Sequence, residues 1–137
     1  MGNLDQTIDA ILQTCRTIAV IGASSNPARP SNRVATYMKS QGHRVISVNP
    51  NEQLVIGEKA FPSLSDVPEP VNLVDIFRRS EDILPIVEEA IAKGAKAVWM
   101  QEGIINEAAA ARARAAGLLV IMDRCWLKEH RVRTNRG

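Results

Sequence analysis

Thr17-Ile-Ala-Val-Ile-Gly-Ala-Ser-Ser-Asn-Pro-Ala-Arg-Pro-Ser31 decides how the rest of the chain is read. Thr17–Ile21 is a short, continuously apolar run, the pattern of a strand buried on both faces. At Gly22 it breaks into a small polar loop, punctuated by Pro27 and Pro30, that leads into a helix. Strand, glycine and helix start in this order open a nucleotide-binding α/β fold, because backbone N–H groups and a helix N-terminus together seat a phosphate. A dinucleotide fingerprint would need three glycines in this turn, and only Gly22 is there.

Working outward, the same rhythm repeats. Leu4, Ile8, Ile11 and Leu12 form the stripe of an amphipathic helix over about residues 4–14. Beyond the loop, Ser31 or Asn32 is placed to cap a helix carrying Val34, Ala35 and Met38, with Gly42 ending it. Arg44–Val48 is a second strand, stopped by Asn49-Pro50. Residues 51–70, with Gly57, Pro62, Pro68 and Pro70, read as turns running along a sheet edge. Val71–Phe77, Ala95–Met100 and Leu118–Met122 complete five strands. Between them lie a helix capped at Asp82 and ended by Gly94, and an alanine-rich helix over Asn106–Ala116. A short helix over Trp126–Arg131 follows. Strands alternating with helices predict a three-layer, Rossmann-type, doubly wound parallel sheet of five strands in a single domain. The domain is expected over residues 1–130, with 131–137 a basic, flexible tail carrying Arg131, Arg133 and Arg136.

Composition narrows the function classes. A formal charge of +2 over 137 residues is too small to indicate nucleic acid, and aromatics at 4% predict an aliphatic core. Cys15 and Cys125 make no C-x-x-C pair, which suits a reducing compartment. With no secretory pattern and no apolar run near 20 residues, a cytoplasmic location is expected.

The residues following each strand become neighbours in such a fold. An NAD site would put an acidic residue after the second strand to hold the ribose, but Asn49 stands there. The edge suits a different polyphosphate. Gly22, Ala23, Ser24 and Ser25 are small enough for amides to approach a pyrophosphate, and Arg29, Arg33 and Arg78 can neutralise a further phosphate. Phe77 offers an apolar face to a purine. Ser24 and Ser25 as turn residues, Arg29 and Arg33 as solvated charges, and Phe77 as core are the plain alternatives. Asp123-Arg-Cys125 with Glu129 and His130 is a candidate reactive cluster, in which Arg124 and an imidazole would activate the Cys125 thiol; the plain alternative is that Cys125 packs at a strand end and His130 caps the last helix. Cys125 and His130 alone are too few to ligate a metal. His43, in a helix-to-strand connection, is expected at the surface.

One set of ordered segments carries a resemblance. Ile18-Ala-Val-Ile-Gly-Ala-Ser24, Val48-Asn-Pro-Asn51, Ile56-Gly-Glu58, Val74-Asp-Ile-Phe-Arg78, Val98-Trp-Met-Gln-Glu-Gly-Ile104, Ala115-Ala-Gly-Leu118 and Met122-Asp-Arg-Cys-Trp126 with His130 run from residue 17 to 130. Together they resemble the CoA-binding family of small stand-alone Rossmann domains, similar to the nucleotide-binding domain of the succinyl-CoA synthetase α subunit. The resemblance implies coenzyme A or an acyl-CoA as ligand. By it, Gly22, Ala23 and Ser24 would bind phosphates, Pro50, Phe77 and Arg78 would enclose the adenosine end, and Gln101 and Gly103 would follow the pantetheine. A ligase of that type also needs a phosphorylatable histidine on a second domain and an ATP-grasp partner. The expectation is therefore a non-catalytic carrier, sensor or regulatory protein. The alternatives are an NAD(P)-linked redox domain and an accessory subunit of an acyl-CoA ligase with an ATP-grasp partner chain.

Overall fold

The computed structural model describes residues 3–135, and places seven strands and five α-helices along them. The strands are β1 Thr17–Ile21, β2 Arg44–Val48, β3 Leu54–Val55, β4 Glu58–Phe61, β5 Leu73–Ile76, β6 Ala97–Met100 and β7 Leu119–Ile121. The helices are α1 Leu4–Thr14, α2 Pro30–Ser40, α3 Ile83–Lys93, α4 Glu107–Ala115 and α5 Trp126–Thr134. They form one sheet in the order β3-β4-β2-β1-β5-β6-β7. The five expected strands are all parallel, in the register Ile18↔Val45 and Ile18↔Leu73 around the centre. From β1 the chain first moves to one side to make β2, then crosses to the other to make β5. The crevice between the carboxyl ends of β1 and β5 is therefore the topological switch point, where α/β sheets take their ligands.

Two strands exceed the five expected. Leu54–Val55 and Glu58–Phe61 pair antiparallel, with Val55 opposite Glu58 across a two-residue turn. Ile56 and Gly57 both hold positive φ, at 51° and 77°, the conformation of the tight turn that matches strand twist. The second arm adds to the sheet because Ala60 and Phe61 pair parallel with Ser47 and Val48.

Alternate residues of each strand feed two aliphatic layers. Ala19, Ile21, Val74, Ile76, Val98 and Met100 pack under α3 and α4, whose Val87, Ala90, Ala109 and Ala113 are fully buried. Ile18, Val20, Leu73, Ala97 and Trp99 pack on the other face under α1, α2 and α5. Pro30, with no N–H to lose, begins α2, so Ser31 and Asn32 lie inside the helix and Arg29 precedes it. The expected cap at Ser31 or Asn32 is corrected accordingly.

The expected flexible tail from Arg131 is also corrected over residues 131–134, which continue α5. Arg133 reaches back to α1 and donates to Asp9 at 2.6 Å, to Asp5 at 2.8 Å and to Glu129 at 2.7 Å. Several carboxylates around one guanidinium hold its planar fork in place and outweigh end fraying. Arg136 lies outside the described residues.

Candidate functional site

At the switch point, β1 ends on a glycine for a steric reason. Gly22 has φ +87°, and a Cβ there would stand 2.4 Å from the Phe77 carbonyl oxygen. No other residue lets the first loop turn this close to the end of β5. Beside it opens a cleft of about 730 Å³, lined by Gly22, Ser24, Arg29, Asn49, Phe77 and Arg78 among others. A second cleft of about 360 Å³ adjoins it and shares Pro30, Phe77 and Ile104. It is lined further by Arg33, Gln101, Glu102, Cys125, Leu127 and Lys128. Phe77 is half-buried between them, with its ring packed on the α2 face of the core.

The loop after β1 is more tightly bonded than its sequence suggests. Gly22 and Ala23 N–H both donate to the Val48 carbonyl, at 2.9 and 3.4 Å. Ser25 N–H donates to Glu52 Oε2 at 3.0 Å, and Asn26 N–H to Ser24 Oγ at 3.0 Å. Ser24 N–H alone in this run has no partner among the described residues. Asn49, which stands where an NAD site carries its acid, donates through Nδ2 to the Ala23 carbonyl at 2.8 Å. Asn32 Nδ2 donates to the Ser24 carbonyl at 2.9 Å. The loop is thus a rigid shelf pinned by β2 and α2, with few bare amides. Charge neutralisation for an anion falls to side chains. Arg29 and Arg78 line the cleft without an ion-pair partner among the described residues, whereas Arg79 faces Asp82 at 3.3 Å.

In the second cleft, Gln101 is 5% exposed. Its Oε1 accepts from the Trp126 amide at 3.2 Å, which caps α5, while its Nε2 has no partner among the described residues. Cys125 precedes α5 and is half-buried. Lys128 binds both Glu102 oxygens at 3.0 and 3.2 Å, and this hydrogen-bonded pairing raises its pKa.

The structure therefore gathers Gly22, Ser24, Arg29, Arg33, Asn49, Phe77, Arg78, Gln101 and Cys125 along one connected trough. The side chain of Ala23 is instead in the core. Ser25 and Pro50 are exposed and outside the lining, and the Gly103 amide is taken by Asp123 Oδ1 at 2.7 Å. Sequence reasoning missed Pro30, Ser31, Arg79, Asp82 and Ile104 on the trough wall. The Pro-Ser pair was a legible helix-start signal; nothing local marks the others.

The candidate reactive cluster is not held together by a hydrogen bond between Cys125 and His130 among the described residues. His130 Nδ1 is 2.8 Å from the Tyr37 hydroxyl, and its ring stacks on Trp126 at 4.9 Å. Glu129 is held by Arg133 at 2.7 Å. His43 is corrected too. It is 7% exposed rather than at the surface, set edge-on to Trp126 at 5.1 Å and 6.0 Å from the His130 ring. Burial lowers its pKa, helped by the nearby His130 and Arg16, and burial lowers that of His130 as well. Cys15 is buried, and burial raises its pKa. Among the described residues no group of three or more His, Cys, Asp or Glu could hold a metal ion, and no helix is long and apolar enough to cross a membrane.

The sequence matches the family described as CoA binding domain over residues 16–131, and the chain belongs to that family. It is 38% identical over 125 residues to the uncharacterized protein YneT of Bacillus subtilis, covering 91% of this chain and 93% of that one. A hypothetical protein from Pyrococcus horikoshii superposes with a TM-score of 0.92 at 39% identity, over 96% of this chain and 92% of its own. The alpha subunit of acetate–CoA ligase (ADP-forming) II from Pyrococcus furiosus is 37% identical over 84 residues, 61% of this chain. The match spans only 18% of that subunit's length.

Proposed function

We propose that this chain binds coenzyme A or an acyl-CoA as a non-catalytic carrier, sensor or regulatory protein. The observation that supports this best is the connected trough at the switch point. Its first part combines the Gly22–Ser24 shelf, Arg29, Arg78 and the Phe77 ring, and its second is a narrower cleft running to Gln101 and Cys125. Diphosphate and 3′-phosphate would sit in the first part, on the Ser24 amide and the two guanidiniums, with the adenine against Phe77. Pantetheine would pass Ile104 into the second part. Bidentate guanidinium–phosphate bonds supply the strongest single contacts available there. The non-catalytic reading rests on the histidines, which lie in the Tyr37–Trp126 cluster rather than along the trough.

The accessory-subunit reading draws on one observation, the likeness to a ligase alpha subunit. In that case a separate ATP-grasp chain would dock here and supply the activation chemistry. Calorimetric titration with CoA, acetyl-CoA, NAD and ATP tests the main reading. Micromolar or tighter binding of CoA, with no heat from NAD, is expected. NAD binding as tightly as CoA would overturn it. Co-purification of an ATP-grasp chain would promote the second reading.

A further inference from the structure

The narrow end of the trough contains a group that ligand binding alone does not require. Cys125 lines the smaller cleft, half-buried, immediately before the nine-residue helix α5. Across the same cleft is Gln101, nine-tenths buried, with its amide nitrogen unpartnered although its oxygen is used to cap α5. The rest of Gln101 is packed away and its oxygen is held by Trp126, so its free amide nitrogen, in a residue that lines the cleft, is available to an acceptor that enters it, and a pantetheine carbonyl is such an acceptor. Lys128, in the first turn of α5, lines the cleft as well, its ammonium paired with Glu102 at 3.0 Å. Cys15, the other thiol, is buried in the core and has no access.

We propose that Cys125 is an exchange site for disulfides of pantetheine thiols, such as CoA disulfide, held by Gln101 in the narrow cleft. This rests on the CoA reading above. In the step, the Cys125 thiolate attacks one sulfur of the bound disulfide. A Cys125–S–S–CoA bond forms as the substrate S–S bond breaks, and the second CoA leaves as a thiolate that takes up the proton Cys125 lost. One disulfide is consumed and one formed, so no outside oxidant or reductant is needed.

The test is intact-protein mass spectrometry after mixing with CoA disulfide or, separately, oxidised glutathione. The expected result is one added CoA moiety, released by dithiothreitol and absent in Cys125→Ser. Its formation should be at least about tenfold faster than glutathionylation, since the trough raises the local concentration of the CoA disulfide. Gln101→Leu should remove most of that preference. No adduct, an adduct on Cys15, or equal rates for both disulfides would overturn the proposal, as would a stable acyl adduct from acetyl-CoA in place of the disulfide. Calorimetry with reduced CoA on the native chain separates the two readings. Micromolar or tighter binding of reduced CoA, with no adduct from CoA disulfide, defeats only the exchange step; no binding and no adduct defeat both.

Discussion

The two faces of the sheet have been built to different specifications. Under α3 and α4 the buried residues are aliphatic throughout, from Ala19 and Ile21 to Val98 and Met100. Under α1, α2 and α5 the core holds Trp99 and Trp126 together with Cys15, and the buried His43 and Asp75 lie there too. Asp75 sits mid-strand between Val20 and Trp99, with neither carboxyl oxygen hydrogen-bonded, and burial drives its pKa well above the ordinary carboxylate value. The first face needs only to exclude water. The second also sets the trough, because α2 and α5 both start at its wall and Gln101 ties α5 to the end of β6. His43 and Asp75 line neither part of the trough, and burying them without hydrogen-bond partners costs stability on this face alone.

The sharpest break in this comparison comes at Gly22. A Gly22→Val chain meets both the positive φ and the Phe77 carbonyl, and should lose roughly 3 kcal/mol or more of stability along with CoA binding. Gly117 also has positive φ, +91°, but open space around it, so Gly117→Ala should cost only about 1 kcal/mol. Chemical denaturation of both variants checks the contrast. On the aliphatic face, Val87→Ala should lower stability by about 2 kcal/mol with CoA affinity unchanged. Arg78→Ala should do the reverse, weakening CoA about tenfold while the melting temperature holds, because its head group lines the cleft rather than packing in the core. An equal loss of affinity in Val87→Ala would mean that the two faces are not separable.

The pH profile sharpens the comparison with smaller effects. His43 is depressed in the folded chain, so its stability contribution is complete above the unfolded value of about 6.5 and drains away as pH falls toward the folded value. The slope cannot exceed about 1.4 kcal/mol per pH unit for one proton, and His43→Gln should flatten it. Asp75 acts in the opposite sense. Its folded pKa is raised, so stability is full below about 4 and is lost as pH rises above it. Asp75→Asn should remove that loss, and a destabilised Asp75→Asn chain at neutral pH would contradict the unpaired state of the carboxyl group.

How legible this was from sequence depended on the range of the interactions. Runs such as Ile18–Ile21 and Val98–Met100 announce buried parallel strands by themselves, and Gly22 announces the turn. The edge hairpin escaped because Leu54–Val55 is only two residues long and Ile56 is an unusual choice for a left-handed turn position. His43 looked exposed because its covering ring, Trp126, is supplied from a distant part of the chain. Arg133 looked like part of a loose end, yet its partners Asp5 and Asp9 lie 128 and 124 residues away. The closed amides of the loop after β1 depend on the Val48 carbonyl and the Glu52 carboxylate, which local pattern does not reveal.

Amide NMR of the labelled chain, titrated with reduced CoA, tests the central claim most directly. Shifts should concentrate at Gly22, Ser24, Arg78, Gln101 and Cys125, leaving Val87, Ala90, Ala109 and Ala113 still. Saturable shifts centred on α3 and α4, with the switch-point residues unmoved, would contradict it.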